Sequence, residues 1–537
     1  MNTANRLSAI SKLLDKGNLD TAAADCIQVV KEYPDDAAAW VLLSEISARL
    51  KQHRMAINSA LKALSIDPDN SQYLLHLARL YSGLSAWQAS RKVLRKLHAS
   101  MASLTVEERL ELALLYYQSG QIDGAIELYQ QVINSEPENH QVRYNLASLQ
   151  RYTGDLNSAA ANLETVIAAH PEDYEACSAL AHVKPHPEPR SVLEQLTRCQ
   201  RYYEDSGSEA AKAALASLYY GKGKVLEDAR QYPAAFAAYA TGAALKRDLQ
   251  RFTVSDELAR INAMQRLVSN GDFAAPTQSG SDGPVFIVGM PRTGTTVVEG
   301  ILGSHSKVKR GGELNYLPMT ILEAAGGSWA DGPQSITAGT LANIANADMN
   351  AIGQRYMALS GDYLNCQGVF TDKLPLNALF VPIILSAIPN ARVVQVERNA
   401  MDTALSNFKM LFKHGYDYSY SLDDIGAYVP AYQRMIKQWQ ETYPQRILTL
   451  RYEHLVARPE EVGRRLTEFC ELPWEPACLQ FHQQPGATQT ASASQVTESL
   501  HNRYVGQWRR FKEPLTTLKK KWQTQRLSAL TEEDVKW

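Results

Sequence analysis

A recurrence of turn-forming and small residues every 34 positions is the feature that most limits how the N-terminal part of this 537-residue chain can fold. Pro34 and Pro68 are 34 residues apart, and so are Gly120 and Gly154. Two antiparallel helices with their turns occupy about 34 residues, and small side chains let paired helices approach closely. The period therefore predicts an array of helix pairs. Three further pairs of residues share the spacing: Pro137 and Pro171, Ala22 and Ala56, and Ala125 and Ala159.

This period and these residue types resemble the tetratricopeptide repeat. The resemblance covers about residues 5–172 as five units, of which the third is degenerate. Residues 212–247 resemble a sixth helix pair, which follows a proline-rich break at 182–190. Repeat arrays of this type present a concave groove that usually holds a polypeptide segment. We therefore expect the repeats to recruit a protein or peptide. The alternative, that they only support the fold or form a homodimer, stays open.

The C-terminal half has a different pattern, in which short apolar runs alternate with helical segments. Each of four apolar runs is suited to a buried strand, and each is followed by a helical pattern. The helix after the third run is expected at about 400–413, and the helix after the fourth at about 459–471. This alternation predicts an α/β domain with a mainly parallel sheet, whose ligands bind at the carboxyl ends of the strands. The four runs are 285–290, 369–372, 392–397 and 446–453.

The expected domain organisation follows from these two patterns. A segment that is small, polar and without periodicity is typical of a linker, and one such segment separates the helical half from the α/β half. The expected divisions are tetratricopeptide repeats over 1–185, further helices with the sixth pair over 186–272, the linker over 273–284, and the α/β domain over 285–537.

The turn after the first apolar run carries the sequence GMPRTGTT, from Gly289 to Thr296. It has the frame of a Walker A loop, with Thr295 where that motif has lysine. Backbone N–H groups at the start of the following helix can bind an oxyanion, and the planar guanidinium of Arg292 suits such a group. The glycine pattern of dinucleotide-binding folds is missing. The loop therefore predicts a phosphate-like ligand on a nucleotide without a triphosphate, and the missing lysine disfavours a kinase.

Ordered motifs from about Pro284 to Phe511 resemble the sulfotransferases that use 3′-phosphoadenosine 5′-phosphosulfate (PAPS), and are most similar to the tyrosylprotein sulfotransferases and their bacterial repeat-fused relatives. The resemblance implies a P-loop-like α/β sulfotransferase domain after an all-α tetratricopeptide-repeat solenoid. It also implies PAPS as the sulfuryl donor, 3′-phosphoadenosine 5′-phosphate (PAP) as the product, and no metal. The motifs are PVFIVGMPRTGTT (284–296), GGEL (311–314), TDKLPLN (371–377), RVVQVERNAMDTALSNF (392–408), LRYEHLV (450–456) and TASASQV (490–496).

The same resemblance assigns a nucleotide site. Arg398 and Ser406 match the pair that binds the 3′-phosphate, where an arginine and a helix hydroxyl form charge-assisted hydrogen bonds. The alternative for Arg398 is an ion pair with Glu397 or Asp402. Tyr452 matches a tyrosine near the cofactor, and its alternative is a buried core position. The residues that match the 5′-phosphosulfate loop are Arg292, Thr293, Gly294, Thr295 and Thr296.

Three further residues match catalytic positions of the family. Glu313 matches the general base, which removes the acceptor proton; its alternative is a cap at the start of a helix. Lys373 matches the lysine that stabilises the bridging oxygen, and its alternative is an ion pair with Asp372. Ser492 matches a serine that assists there, although the TASAS segment offers neighbouring hydroxyls.

One position departs from the family pattern. Relatives commonly carry a basic residue just after the QV of the last motif, whereas Thr497 and Glu498 stand here. Either the cofactor binds more weakly, or another basic residue replaces the missing one. The candidates for that replacement are Arg503, Arg509 and Arg510.

Bulk properties restrict the partners and the compartment. A formal net charge of −2 gives no reason to expect nucleic-acid binding. The N-terminus lacks the apolar run of a signal peptide, and the sequence has no uncharged apolar stretch long enough to span a membrane. Six scattered cysteines without a CxxC pair are typical of free thiols in a reducing compartment. We therefore expect a cytoplasmic protein with no membrane or nucleic-acid partner.

The function expected from these observations is sulfation of a tyrosine in a protein or peptide that the repeats recruit. A glycan or small-molecule hydroxyl is the alternative acceptor. An alternative of another class is a repeat-based scaffold whose nucleotide-binding domain is not catalytic.

Overall fold

The computed structural model describes residues 3–274, 282–329, 332, 335–483 and 500–524. Contacts between residues divide the chain into two compact units, of which the first ends at Leu146 and the second begins at Ala147. The boundary falls inside one helix of the repeat array.

Helix pairs fill the first unit and continue into the second, as the 34-residue period predicts. The alanines that mark the period are buried: Ala22 and Ala125 are fully buried, and Ala56 is 1% exposed. Side-chain caps start several of these helices, and Thr105 forms a complete capping box with Glu108. The array consists of α1 Thr3–Asp15, α2 Leu19–Glu32, α3 Ala37–Arg49, α4 His53–Ile66, α5 Ser71–Gly83, α6 Trp87–Ala99, α7 Val106–Gln118, α8 Ile122–Ser135, α9 His140–Thr153 and α10 Leu156–Ala169.

The second unit continues with further helices, and the last three of them, α13, α14 and α15, share one core with the sheet that follows. Two helices, α13 and α14, occupy the segment 212–247, and they pack so closely that a Cβ at Gly223 would come 2.6 Å from the ring of Tyr239. The Tyr220 hydroxyl donates a hydrogen bond to the carbonyl of Phe408, 3.1 Å away and far along the chain. These helices are α11 Tyr174–Val183, α12 Arg190–Gln200, α13 Glu209–Asp228, α14 Tyr232–Asp248 and α15 Val254–Asn270.

The C-terminal part of the second unit contains a four-stranded parallel sheet in the order β2-β1-β3-β4. Every predicted strand forms, and the fourth ends two residues early because Tyr452 already begins a helix. Alternate residues of β1 point to opposite faces: Phe286 packs in a core with α13, α14 and α15, whereas Ile287 packs in a second core on the other side. The strands are β1 Pro284–Gly289, β2 Phe370–Asp372, β3 Arg392–Glu397 and β4 Ile447–Arg451.

Helices cover both faces of this sheet, so the fold is an all-α repeat array followed by an α/β domain with a parallel sheet. The helices predicted at about 400–413 and 459–471 correspond to α21 and α24. Both observed helices end earlier, at Phe408 and Phe469. The α-helices of this domain are α16 Thr295–Gly303, α17 Tyr316–Ala324, α18 Ala338–Ile344, α19 Met349–Leu364, α20 Val381–Ala387, α21 Ala400–Phe408, α22 Leu422–Thr442, α23 Tyr452–Ala457, α24 Pro459–Phe469 and α25 Lys512–Thr524.

The long helix α22 contains Pro430, a residue that normally breaks a helix. Proline has no N–H to donate to the carbonyl four residues earlier, here that of Gly426. The indole of Trp522 in α25 donates to that same carbonyl at 3.1 Å, and Trp522 is fully buried. A tertiary contact thus replaces the hydrogen bond that Pro430 removes, and it fastens α25 to α22.

All six cysteines are free thiols, and five of them are buried. In the part of the chain that the structure describes, no helix combines the length and the apolar character that crossing a bilayer requires.

Candidate active site

The four strands end at one edge of the sheet, and most of the predicted site residues follow those ends. Lys373 comes directly after β2, Arg398 directly after β3, and Tyr452 directly after β4. The register pairs Gly289 at the end of β1 with Val396 near the end of β3. The parallel sheet therefore brings the loop after β1 close to Arg398.

The loop between β1 and α16 is held in a tight shape. Arg292 has φ 68° and Gly294 has φ 101°, so two of its residues are left-handed, which is unusual for an arginine. The Thr293 hydroxyl donates to the carbonyl of Met290 at 2.8 Å. A Cβ at Gly294 would lie 2.5 Å from the Tyr452 ring, so only glycine fits there. Outliers of this kind cluster at ligand sites.

A second element fixes the loop from the side of α21. The side-chain amide of Asn407, which is fully buried, donates to the carbonyl of Pro291 at 2.8 Å. Ser406 precedes Asn407 and is half-buried on the same helix. The helix that carries Ser406 thus contacts the loop that carries the predicted 5′-phosphosulfate ligands.

The first turn of α16 supplies donors for an anion. Thr295 and Thr296 begin this helix and are 4% and 5% exposed. The first N–H groups of a helix have no acceptor inside it, and the helix dipole is positive at this end. The loop and α16 together therefore form a cradle that suits an anion.

Two arginines add positive charge beside this cradle. Nη1 of Arg398 donates to the carbonyl of Arg292 at 3.0 Å, and the Arg398 guanidinium lies 5.0 Å from the centre of the Tyr452 ring. Burial, and secondly the charge of Arg398, lower the pKa of Arg292 to about 10. The charge of Arg398 disfavours that of Arg292, and an anionic ligand in this pocket would offset the repulsion.

Arg398 keeps one donor available in this pocket. Among the described residues its Nε is buried without a hydrogen-bond partner. Neither Glu397 nor Asp402 forms an ion pair with it in the part of the chain described, so the surface-pair alternative is not what the fold shows. The Asp402 carboxylate instead accepts from the backbone N–H groups of Gly506 and Trp508, at 2.6 and 2.9 Å.

The C-terminal segment, which contains the three arginines considered as replacements, is therefore held against α21 and close to Arg398. Arg398 also donates to the carbonyl of Tyr504, which lies two residues before Gly506. Of the three arginines proposed to replace the missing basic residue, Arg503 adjoins this contact. Arg510 instead lies over the ring of Tyr232, on α14. No sequence signal marked Asp402 as the anchor of this segment.

A carboxylate and a lysine meet at the end of β2. The Lys373 ammonium donates to the Glu313 carboxylate and forms an ion pair with it. The Lys373 side chain is 1% exposed, whereas that of Glu313 is 38% exposed. The pair therefore has a buried cation and a carboxylate that an external hydroxyl can reach. Glu313 does not cap a helix, because α17 begins three residues later at Tyr316.

Asp372 is not the partner of Lys373. Its carboxylate is fully buried and accepts from the hydroxyl of Tyr356 at 2.9 Å and from the amide of Asn377 at 3.2 Å. Burial raises the pKa of Asp372 well above its ordinary value. The structure thus leaves Glu313 as the ion-pair partner of Lys373. Ser492 lies outside the described residues, as do Thr497 and Glu498.

The fold and the site define an α/β domain whose loop after the first strand has the geometry and the donors that suit an anion. Comparison with known proteins gives the family. Residues 284–476 match the sulfotransferase family, and residues 9–71 and 113–150 match tetratricopeptide repeats. The chain thus combines tetratricopeptide repeats with a sulfotransferase-family domain, which confirms the resemblance drawn from its motifs.

Individual relatives are more distant. An uncharacterized protein of Aquifex aeolicus is 35% identical over 242 residues, which are 43% of this chain and 31% of that protein. A putative protein-tyrosine sulfotransferase of Caenorhabditis briggsae is 28% identical, over 42% of this chain and 80% of that protein. A protein-tyrosine sulfotransferase of Drosophila melanogaster is 25% identical, over 42% and 46%. The chain thus spans less than half of the length of the first and third of these relatives.

Proposed function

We propose that this protein transfers a sulfuryl group from PAPS to a hydroxyl acceptor, and that the acceptor is a tyrosine in a protein or peptide. The observation that carries the proposal is the pocket beside the loop after β1, where Arg398 lies next to Arg292 and its buried Nε has no hydrogen-bond partner among the described residues. The Glu313–Lys373 pair lies after a neighbouring strand. Relatives described as protein-tyrosine sulfotransferases support the choice of acceptor.

The residues present fit a nucleotide with two separate anionic groups. The cradle of Thr293, Gly294, Thr295 and Thr296 with Arg292 would hold the 5′-phosphosulfate. The buried Nε of Arg398 and the hydroxyl of Ser406 would hold the 3′-phosphate, with Tyr452 beside them. Arg503 is the basic residue best placed to compensate for Thr497 and Glu498. A metal is not required by this arrangement, because the arginines and amides supply the positive potential.

The Glu313–Lys373 pair would perform the chemistry. PAPS would supply the sulfuryl group, whose bond to the 5′-phosphate oxygen breaks as the acceptor oxygen bonds to sulfur. Glu313, on the exposed side of the pair, takes the proton of the acceptor hydroxyl. Lys373, buried behind it, stabilises the negative charge that remains on the phosphate oxygen. Because the two side chains form one ion pair, each keeps the other in position for its step.

The repeats offer a place for the polypeptide. The first unit contains a cavity of about 740 Å³ at α3 and α4. Its lining combines the apolar side chains of Trp40 and Met55 with the basic side chains of His53, Arg54 and Lys62. No ion pair of these three basic residues is seen within the described residues. We propose that this α3–α4 cavity receives an acidic segment with apolar side chains.

If Arg398 binds the 3′-phosphate, its removal should weaken the binding of PAP more than that of adenosine monophosphate (AMP). Arg398→Ala is expected to weaken PAP binding about 10- to 100-fold, because hydrogen bonds to charged groups contribute about 1.5–3 kcal/mol. AMP lacks the 3′-phosphate, so its affinity is expected to change little. Isothermal titration calorimetry on the full chain measures both, with Arg464→Ala on the surface of α24 as the matched control. Wild-type protein that binds no PAP would refute the proposed function, and an equal loss for both nucleotides would remove Arg398 from the 3′-phosphate.

The acceptor is tested with radiolabelled PAPS and a panel of acidic tyrosine peptides, sugars and simple phenols. We expect label on the tyrosine peptides. Arg54→Glu with Lys62→Glu is expected to raise KM for acidic peptides about tenfold, because each exposed charge pair contributes up to about 1 kcal/mol, and to leave a simple phenol unaffected. Lys16→Glu with Lys31→Glu is the matched control. Label on sugars alone would refute the tyrosine acceptor, and an unchanged KM would refute the role of the α3–α4 cavity.

A further inference from the structure

A buried carboxylate that no motif singled out links the anion-binding helix to the catalytic pair. Glu299 lies in the second turn of α16 and is 1% exposed. Its Oε1 accepts two hydrogen bonds: one from the backbone N–H of Gly312, at 2.8 Å, and one from the hydroxyl of Thr371, at 3.0 Å. Gly312 directly precedes Glu313, and Thr371 is two residues before Lys373. One oxygen atom therefore contacts both segments that carry the catalytic pair.

The segment before Glu313 runs beside β2 like a short additional strand. The Lys309 N–H donates to the carbonyl of Val369 at 3.0 Å, and the Lys373 N–H donates to the carbonyl of Gly312 at 2.7 Å. A Cβ at Gly311 would lie 2.1 Å from the carbonyl oxygen of Thr371, so the two backbones are in direct contact. These contacts set the register that brings Glu313 to Lys373.

Glu299 completes this register through a short chain of hydrogen bonds. The Thr371 hydroxyl accepts from the N–H of Gly311 at 3.2 Å and donates its own hydrogen to Glu299. The N–H groups of Gly311 and Gly312 therefore both depend on Glu299, the first through Thr371 and the second directly. Gly312 has φ 67°, so the chain turns here just before it presents Glu313.

A buried carboxylate such as that of Glu299 destabilises the folded state unless its hydrogen bonds offset the cost of burial. Burying an ionised group costs several kcal/mol after relaxation, and hydrogen bonds offset that cost only when the geometry is good. The fully buried carboxylate of Asp372 lies close enough to interact with the charge of Glu299. An apolar side chain would fill the same space between α16 and β2 without that charge.

We propose that Glu299 is a positioning residue, which holds the 309–313 segment against β2 so that Glu313 and Lys373 stay paired at a fixed place relative to the anion-binding loop. This inference rests on the proposed sulfotransferase function for its kinetic consequence, but not for its structural one. Glu299 touches neither nucleotide nor acceptor in this scheme. It acts through Gly312 and Thr371, and it links donor binding to the base because α16 also forms the cradle.

The test compares Glu299→Leu with Glu299→Gln in the full-length protein. Glutamine keeps an oxygen that can accept both hydrogen bonds, whereas leucine keeps none. We expect Glu299→Leu to lower kcat about 100-fold, the loss typical when catalytic groups are displaced by about 1 Å, and to leave PAP affinity near that of the wild type. Glu299→Gln is expected to restore most of kcat. Hydrogen exchange of peptides covering 309–314 is expected to accelerate in the leucine variant and to stay slow in the glutamine variant.

A second variant covers the case in which leucine prevents folding. Thr371→Val removes the hydroxyl that connects Gly311 to Glu299 while it leaves the Gly312 bond, so a smaller acceleration of exchange and a smaller loss of kcat are expected. Unchanged exchange in Glu299→Leu would overturn the proposal, and so would a glutamine variant as impaired as leucine, or a loss of PAP affinity as large as the loss of kcat. A wild-type protein that transfers no sulfuryl group would refute the proposed function. Accelerated exchange in its Glu299→Leu variant would still support the structural role of Glu299 in positioning the 309–313 segment.

Discussion

Glu313→Ala is expected to lower kcat for sulfuryl transfer about 10²- to 10⁴-fold, the contribution that a well-placed general base makes. The Glu313 carboxylate is the group of the catalytic pair that solvent and an acceptor can reach, since its side chain is 38% exposed beside a lysine that is 1% exposed. The nearby carboxylate of Asp372 does not take its place, because it is fully buried and already accepts from Tyr356 and Asn377.

PAP binding separates this prediction from general damage to the site. The alanine variant removes a negative charge next to Lys373, so its affinity for the anionic product is expected to equal or exceed that of the wild type. Glu313→Gln keeps the size of the side chain and its bond to Lys373, but an amide does not accept a proton as a carboxylate does. We therefore expect the glutamine variant to be nearly as slow as the alanine variant.

The control for Glu313 comes from the same part of the chain. Glu323 lies at the end of α17, on the surface, where it pairs with Arg355. Glu323→Ala is expected to keep wild-type kcat. Steady-state transfer from radiolabelled PAPS and calorimetry with PAP measure the two quantities for each variant. Turnover of Glu313→Ala at the wild-type rate would remove Glu313 from the proton transfer.

Local patterns were sufficient to predict most of the elements that position the site. The 34-residue period placed the helix pairs because each pair packs through its own alanines, and the apolar runs placed all four strands because a buried parallel strand is apolar on both faces. Arg398 and Lys373 were expected at the carboxyl ends of strands, and they are there. Their roles, like those of Ser406 and Tyr452, stay predictions.

Features that depend on distant contacts were not predictable in this way. Pro430 argues against a long helix, and only the Trp522 indole, 92 residues further on, explains why α22 continues through it. In the sequence alone, Glu299 is one more polar residue of a helix, and only the fold shows that its carboxylate contacts Gly312. The pairing of Lys373 with Glu313 rather than with the adjacent Asp372 likewise depends on the register between 309–313 and β2, which no short sequence window contains.

Lys373→Met is expected to lower kcat about 10²- to 10³-fold, the range seen when one donor that stabilises a developing oxyanion is removed. Methionine is close to lysine in length and fills the same buried space without the charge. The loss is expected mainly in kcat, because the anion cradle and the two arginines that would hold the nucleotide do not include Lys373. The Lys373→Met variant also removes the ion-pair partner of Glu313. The substitution therefore affects the proton transfer as well as the stabilisation of the leaving oxygen.

A double-mutant cycle distinguishes the two roles. If Glu313 and Lys373 work as one pair, Glu313→Ala with Lys373→Met is expected to be little slower than Glu313→Ala alone, because groups that act as a unit are strongly non-additive. Losses that multiply would show that the two side chains act independently, despite their contact. Lys409→Met is the matched control, since Lys409 is also largely buried and ion-paired, with Glu227 on α13, but lies outside the catalytic pair. Undiminished kcat in Lys373→Met would contradict its role at the bridging oxygen.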